Sequence, residues 1–169
     1  MVKRDFIEWL SGFRPSIADY GFYINFDKVY RNVDNIKVEL NILNSLIGSN
    51  NIEEEFRCIL LKYPEILQCI PILLAVRTSE IYCQDDRGGV LFNFNPKKLS
   101  VSMGDNLEKN VYFMEETGLF NLLRNHIINN LVDYVMGIET GLDSNGRKNR
   151  GGHLMEDLVE QFIIKAGFV

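Results

Sequence analysis

The chain has 169 residues, with only three cysteines, four prolines, two histidines and one tryptophan. Cys58, Cys69 and Cys83 are too scattered for a disulfide framework, and their odd number points to a reducing cytoplasm. No Cys-x-x-Cys pair occurs, so a structural zinc is not expected. The longest apolar run, Cys69 to Val76, is eight residues. A spanning helix needs roughly 20, so no membrane segment is expected. The charged start Met1-Val2-Lys3-Arg4 lacks the apolar stretch of a signal peptide behind it. Gly-x-Ser-x-Gly, Walker A and Gly-x-Gly-x-x-Gly patterns are all missing, which removes the commonest nucleophile and nucleotide-binding signatures. Net charge is −5 and the pI about 5.1. That balance argues against non-specific coating of nucleic acid, but leaves room for a local basic site.

What is present is a globular composition, 46% hydrophobic and 24% charged. A chain this long suits one domain, or one domain plus part of a second, and buries roughly 70% of its unfolded surface. Residues 5–10 read as a short amphipathic helix. A longer helix is expected from Asp27 to Ile47, because Val29, Val33, Ile36, Leu40, Leu43 and Ile47 recur at spacings of 4, 3, 4, 3 and 4. Gly48 stands where a cap belongs. Asn51 then opens a helix with Glu53, Glu54 and Glu55 in its first turn, favourable at the positive end of the dipole, and Pro64 breaks it. Pro71 suits the first turn of a short buried helix.

The pattern then changes. Glu80–Gln84 and Val90–Asn95 are β-prone runs flanking Asp85-Asp86-Arg87-Gly88-Gly89, which predicts a hairpin. Helical spacing returns near Asp105 and reaches about Met136, broken near Gly118. Leu119, Leu123, Ile127, Leu131 and Tyr134 form its second stripe, and Gly137 and Gly141 close it. His126, in Arg-Asn-His-Ile-Ile-Asn-Asn, faintly suggests an HNH nuclease, but it sits inside this helical pattern without a hairpin or a second histidine in register.

Residues 141–152 form the sharpest discontinuity, with four glycines and three basic residues in twelve. They read as a loop ahead of a final helix from His153 to about Ala166. Arg147, Lys148 and Arg150 would suit phosphate at a helix N-terminus; the plain alternative is a solvated loop. Glu156, one turn into that helix, could help hold a divalent metal facing a bound phosphate; the alternative is surface decoration. Glu160 lies one turn further.

The run Gly-Leu-Asp-Ser-Asn-Gly-Arg-Lys-Asn-Arg-Gly-Gly-His-Leu-Met-Glu (141–156) resembles the DpnII/MboI family of type II restriction endonucleases. So do Lys28-Val-Tyr-Arg-Asn-Val, Ile36-Lys-Val-Glu-Leu-Asn-Ile-Leu-Asn-Ser-Leu-Ile-Gly-Ser, Tyr63-Pro-Glu-Ile-Leu and Asn130-Leu-Val-Asp-Tyr-Val, in order and spacing. The resemblance covers almost the whole chain. It implies cleavage of double-stranded DNA at GATC with Mg²⁺, by an enzyme resembling the PD-(D/E)xK nucleases. There, an acidic strand end and an acid-x-Lys strand bind the metal, often joined by a glutamate from the preceding helix. Glu156 matches that glutamate as the catalytic and metal-site candidate. Arg147, Lys148 and Arg150 match the linking segment, as DNA-binding candidates.

None of the nine lysines has an acidic residue two places earlier, so no acid-x-Lys motif is present. Family members are longer, and the chain reads as their N-terminal part, inactive alone. The expected fold is mainly α (α+β), with a hairpin near 80–95. Residues 1–140 would form a helical N-terminal domain, 141–152 a basic glycine-rich loop, and 153–169 the first helix of a nuclease core whose strands are absent. Gly167-Phe168-Val169 would begin a strand. Partners would be GATC-containing duplex DNA and, at full length, a second copy, since a palindromic site favours two-fold symmetry. The other readings are a non-catalytic DNA-binding or dimerisation module, and an interaction protein that never touches DNA.

Overall fold

A computed structural model of the chain describes residues 20–85, 88–97, 103–165 and 167. The helix expected at 5–10 lies outside these residues, as do Arg87, Phe168 and Val169. The order is α1 (Tyr20–Tyr23), α2 (Phe26–Asp34), α3 (Lys37–Leu43), a 3₁₀ turn at Asn44–Leu46, α4 (Ile52–Lys62), a 3₁₀ segment at Pro64–Cys69 and α5 (Ile70–Leu73). Then come β1 (Glu80–Asp85), β2 (Gly88–Asn93), α6 (Met103–Glu116), α7 (Leu119–Arg124) and α8 (Leu131–Lys165). The architecture is mainly helical with one antiparallel hairpin, as expected.

The stripe on Asp27–Ile47 does face the core: Val29, Val33, Leu40 and Leu43 are buried. It is split between two helices, however. Asn35 donates its N–H to Arg31, and Ile36 leaves helical geometry at φ −125°, so the chain restarts at Lys37. Asparagine competes poorly inside a helix because its side chain bonds nearby backbone, which makes it a natural break. In α4, Asn51 is at the N-cap without a capping side-chain bond. The first-turn acids do more than face the dipole. Arg57 contacts Glu53 and Glu54, and also Glu108 of α6 at 2.9 Å, tying the two helices together.

The hairpin is tighter than expected. Asp85 pairs with Gly88 and Glu80 with Asn93, so Asp85, Gly88 and Gly89 belong to the strands. The Tyr82 ring lies over Gly89: a Cβ there would fall 1.6 Å from Tyr82 Oη and would make that exposed ring move. Phe92 and Phe94 each pack against Phe113 of α6 with centroids 4.9 Å apart, the first tilted and the second edge-on. Phe56 and Phe120 meet edge-on at 5.5 Å. These rings join one apolar core running from α2 to the start of α8.

Two corrections concern the C-terminal half. The helix expected to run through Ile127 stops at Arg124; Ile127 is 65% exposed and His126 has φ +51°. The stretch 141–152 is not a loop but part of the 35-residue α8. Asn130 Oδ1 accepts from Val132 N at 2.8 Å and Asp133 N at 3.3 Å, while Asn44 Oδ1 accepts from Leu131 N at 2.8 Å. With its start capped from two sides, the helix propagates one bond per residue. No proline interrupts 131–165, and each interior glycine costs only about 1 kcal/mol. Buried Leu131 and Val135 stabilise it by roughly 1.5–3 kcal/mol each.

Candidate functional site

Helix α8 carries every residue singled out from the sequence as a site candidate. Arg147, Lys148, Arg150 and Glu156 all lie inside it. The helix N-terminus that was to receive phosphate is at Leu131, more than four turns upstream of Arg147. Around residues 147–153 the peptide groups therefore belong to a helix interior, and a phosphate contact there would depend on side chains. Glu156 and Glu160 are exposed. No group of three His, Cys, Asp or Glu able to hold a metal occurs among the described residues. Among the described residues, no such cluster accompanies Glu156 to make up a Mg²⁺ site.

The first half of α8 holds a feature that no local pattern announced. Glu139 and Asp143 are buried, at 4% exposure each, and both face α2. Asp143 Oδ2 accepts from Asn25 N at 2.9 Å. Glu139 Oε2 accepts from Asn32 Nδ2 at 2.9 Å and from Arg77 Nη2 at 2.6 Å, with Arg77 Nε 3.4 Å from Oε1. Burial alone would raise the Glu139 carboxyl above its ordinary value. Hydrogen bonds from Arg77 and Asn32, with the charges of Arg77 and Lys28, outweigh burial and leave it lowered. The group is thus an anion held in a polar clamp.

Glu139 forms part of the floor of a cleft of about 500 Å³ between α2, the 3₁₀ segment before α5, and the chain entering and leaving the hairpin. Such a volume is in the range of small-ligand sites. The basic positions relate simply to this cleft. Glu139, Asp143, Arg147 and Arg150 follow at steps of 4, 4 and 3 along the sequence of α8. Arg150 stands about 17 Å along the axis from Glu139. Position 156 lies roughly 120–180° around the helix from positions 150 and 147. Arg77, Glu139 and Asn32 were missed in the sequence because they are far apart along it and share no motif.

Comparison with known proteins supplies a second line. A family model described as DpnII restriction endonuclease matches residues 5–169. Type II restriction enzyme DpnII from Streptococcus pneumoniae is 45% identical over 167 residues, covering 98% of this chain and 56% of that protein. Type II restriction enzyme MjaIII from Methanocaldococcus jannaschii is 42% identical, covering 88% of this chain and 51% of that protein. Type II restriction enzyme MboI from Moraxella bovis is 35% identical, covering 94% and 55%. The chain thus spans about half the length of these relatives. No solved structure matches it.

Proposed function

The chain belongs to the DpnII restriction endonuclease family, and on that premise we propose that it is the N-terminal part of a type II restriction endonuclease cutting duplex DNA at GATC. The observation that carries this reading is 45% identity sustained along 98% of the chain. Arg147, Lys148 and Arg150 are proposed to hold DNA phosphates from the side of α8, as point and forked charges rather than through helix-end amides. Glu156 is proposed as the contribution of this segment to the catalytic centre. Mg²⁺ belongs to the proposal as the cation of the complete enzyme. Since the described residues hold no metal-binding cluster and no acid-x-Lys motif is present, hydrolysis is assigned to residues beyond these. A palindromic site favours a two-fold dimer of the complete protein.

A second reading, a non-catalytic DNA-binding or dimerisation module, is favoured by the same lack of a metal cluster. One experiment separates them. The 169-residue chain is incubated with a GATC plasmid and Mg²⁺, beside a version extended to the relatives' length. The first reading expects no cutting by the chain and chelator-sensitive cutting by the extended protein. Cutting by neither would leave the binding module. Specific cutting by the chain alone would place the hydrolytic residues within it and overturn the assignment.

A further inference from the structure

We propose that the cleft floored by Glu139 binds a single nucleobase ring. Its lining excludes the commoner alternatives. The guanidinium of Arg77 is charge-compensated by Glu139, so the cleft offers little net attraction to phosphate. Glu139 is its one carboxylate, already engaged by Arg77 and Asn32, so a cation finds no ligand set.

What remains is hydrogen-bonding capacity in flat, neutral groups. Asn32 spends its amide N–H on Glu139 and keeps an acceptor oxygen. Asn95 accepts from Lys97 N at 3.0 Å and keeps its NH₂ donors. Asn35 and Gln68 add two exposed carboxamides. Arg77 directs Nε and Nη2 at Glu139, which leaves Nη1 for another acceptor. Carboxamides match the adjacent donor and acceptor of an adenine edge, and the remaining Nη1 of Arg77 can donate to a single base acceptor. Ile36, Ile72 and Phe94 supply apolar wall for ring faces.

Size selects the form in which a base could enter. A cleft of about 500 Å³ takes one nucleoside and cannot take a stacked base pair. The base is therefore either that of a free nucleoside or one rotated out of the duplex, at a cost of a few kcal/mol for unstacking. The duplex source rests on the restriction-endonuclease reading; the chemistry of the cleft does not. Positions 147 and 150 of α8 lie about 12 and 17 Å along the helix axis from Glu139. That is within half a turn of B-DNA, so one DNA molecule could meet both.

The test has two arms, each run on the whole chain and on the double variant Asn35→Ala/Gln68→Ala, whose altered side chains are exposed. In the first, adenosine, guanosine, cytidine and thymidine are titrated and binding followed by protein NMR. Saturable shifts of cleft residues are expected for at least one, weakened about tenfold in the variant. In the second, GATC duplexes carry 2-aminopurine at the adenine, with anisotropy reporting binding and base fluorescence reporting unstacking. A several-fold fluorescence rise in the whole chain, lost in the variant while anisotropy persists, assigns the cleft to a base of bound DNA. Nucleoside binding without a rise assigns it to a free nucleoside. Nucleoside binding with no duplex binding would overturn the restriction reading and leave the cleft assignment standing. Neither signal, or both unchanged in the variant, overturns the cleft.

Discussion

Arg77 and Glu139, 62 positions apart, meet with Nη2 2.6 Å from Oε2. The carboxylate side chain is 5% exposed and the guanidinium 42%. The pair joins the chain that leaves α5 to the third turn of α8, and Asn32 brings α2 to the same oxygen. Three elements thus converge on one anion.

Replacing that anion should cost stability in a pH-dependent way. Glu139→Gln removes the charge-assisted bonds and should destabilise the chain by about 1–2 kcal/mol at neutral pH. The folded-state pKa is lowered below the ordinary 4.5. The stabilisation is therefore present above that value and lost as pH falls through the folded one. Urea titrations from pH 7 to pH 3 should show the difference between wild type and Glu139→Gln shrinking in the acid range. A difference that stays constant would mean the carboxylate contributes through shape alone.

Gly48 and His126 form a close contact that reassigns the histidine. Gly48 has φ +75° and its N–H bonds Leu123 O at 3.1 Å; a Cβ would fall 2.4 Å from His126 Nε2. The imidazole thus packs over the glycine at the junction of α3 and α7, where the HNH suggestion finds no hairpin. Gly48→Ala should destabilise by about 1–2 kcal/mol from the backbone conformation alone, plus the clash. In a double-mutant cycle, His126→Ala should recover the clash but not the backbone cost. Strict additivity would show that the two residues do not touch.

Thiol reactivity should follow burial. Cys58 is exposed and Cys69 buried; burial, with Glu39 nearby, pushes the Cys69 thiol far up from its ordinary value. A colourless disulfide reagent at pH 8 should modify Cys58 in the native chain and Cys69 only after denaturant is added. Rapid native labelling of Cys69, read by peptide mass, would contradict its place in the core.

Helix α8 makes a prediction opposite to a loop at 141–152. A Cβ at Gly141 meets nothing within 4 Å, so Gly141→Ala should stabilise by about 0.5–1 kcal/mol and raise helical circular dichroism. In a loop the same change would leave the dichroism as it was.

The DNA assignments separate by salt and metal. Arg147→Ala and Arg150→Ala should each weaken duplex binding across sequences and reduce the salt slope by about one. An untouched slope would move the phosphate contacts elsewhere. Glu156→Gln, in the protein extended to the relatives' length, should keep metal-free binding and lower cleavage, with partial recovery at excess Mg²⁺. Normal cutting at limiting Mg²⁺ would make the carboxylate surface decoration.

Family membership was legible in the sequence, because contiguous blocks such as 36–49 and 141–156 resemble the family as strings of residues. So was the inward stripe of Val29, Val33, Leu40 and Leu43, since helical period is a local property. The hairpin was legible in place though not in length. The continuity of α8 was not. Glycine and asparagine lower helix propensity at 141–152, and the capped start with packing from Leu131 to Asp143 stabilises the helix that runs through them. The break at Asn35–Ile36 hid inside an unbroken hydrophobic period. The clamp of Arg77, Asn32 and Glu139 was invisible for a related reason. A single carboxylate on a helix looks the same in sequence whether solvent or a distant guanidinium meets it, so packing alone decided that Glu139 would be buried and charged.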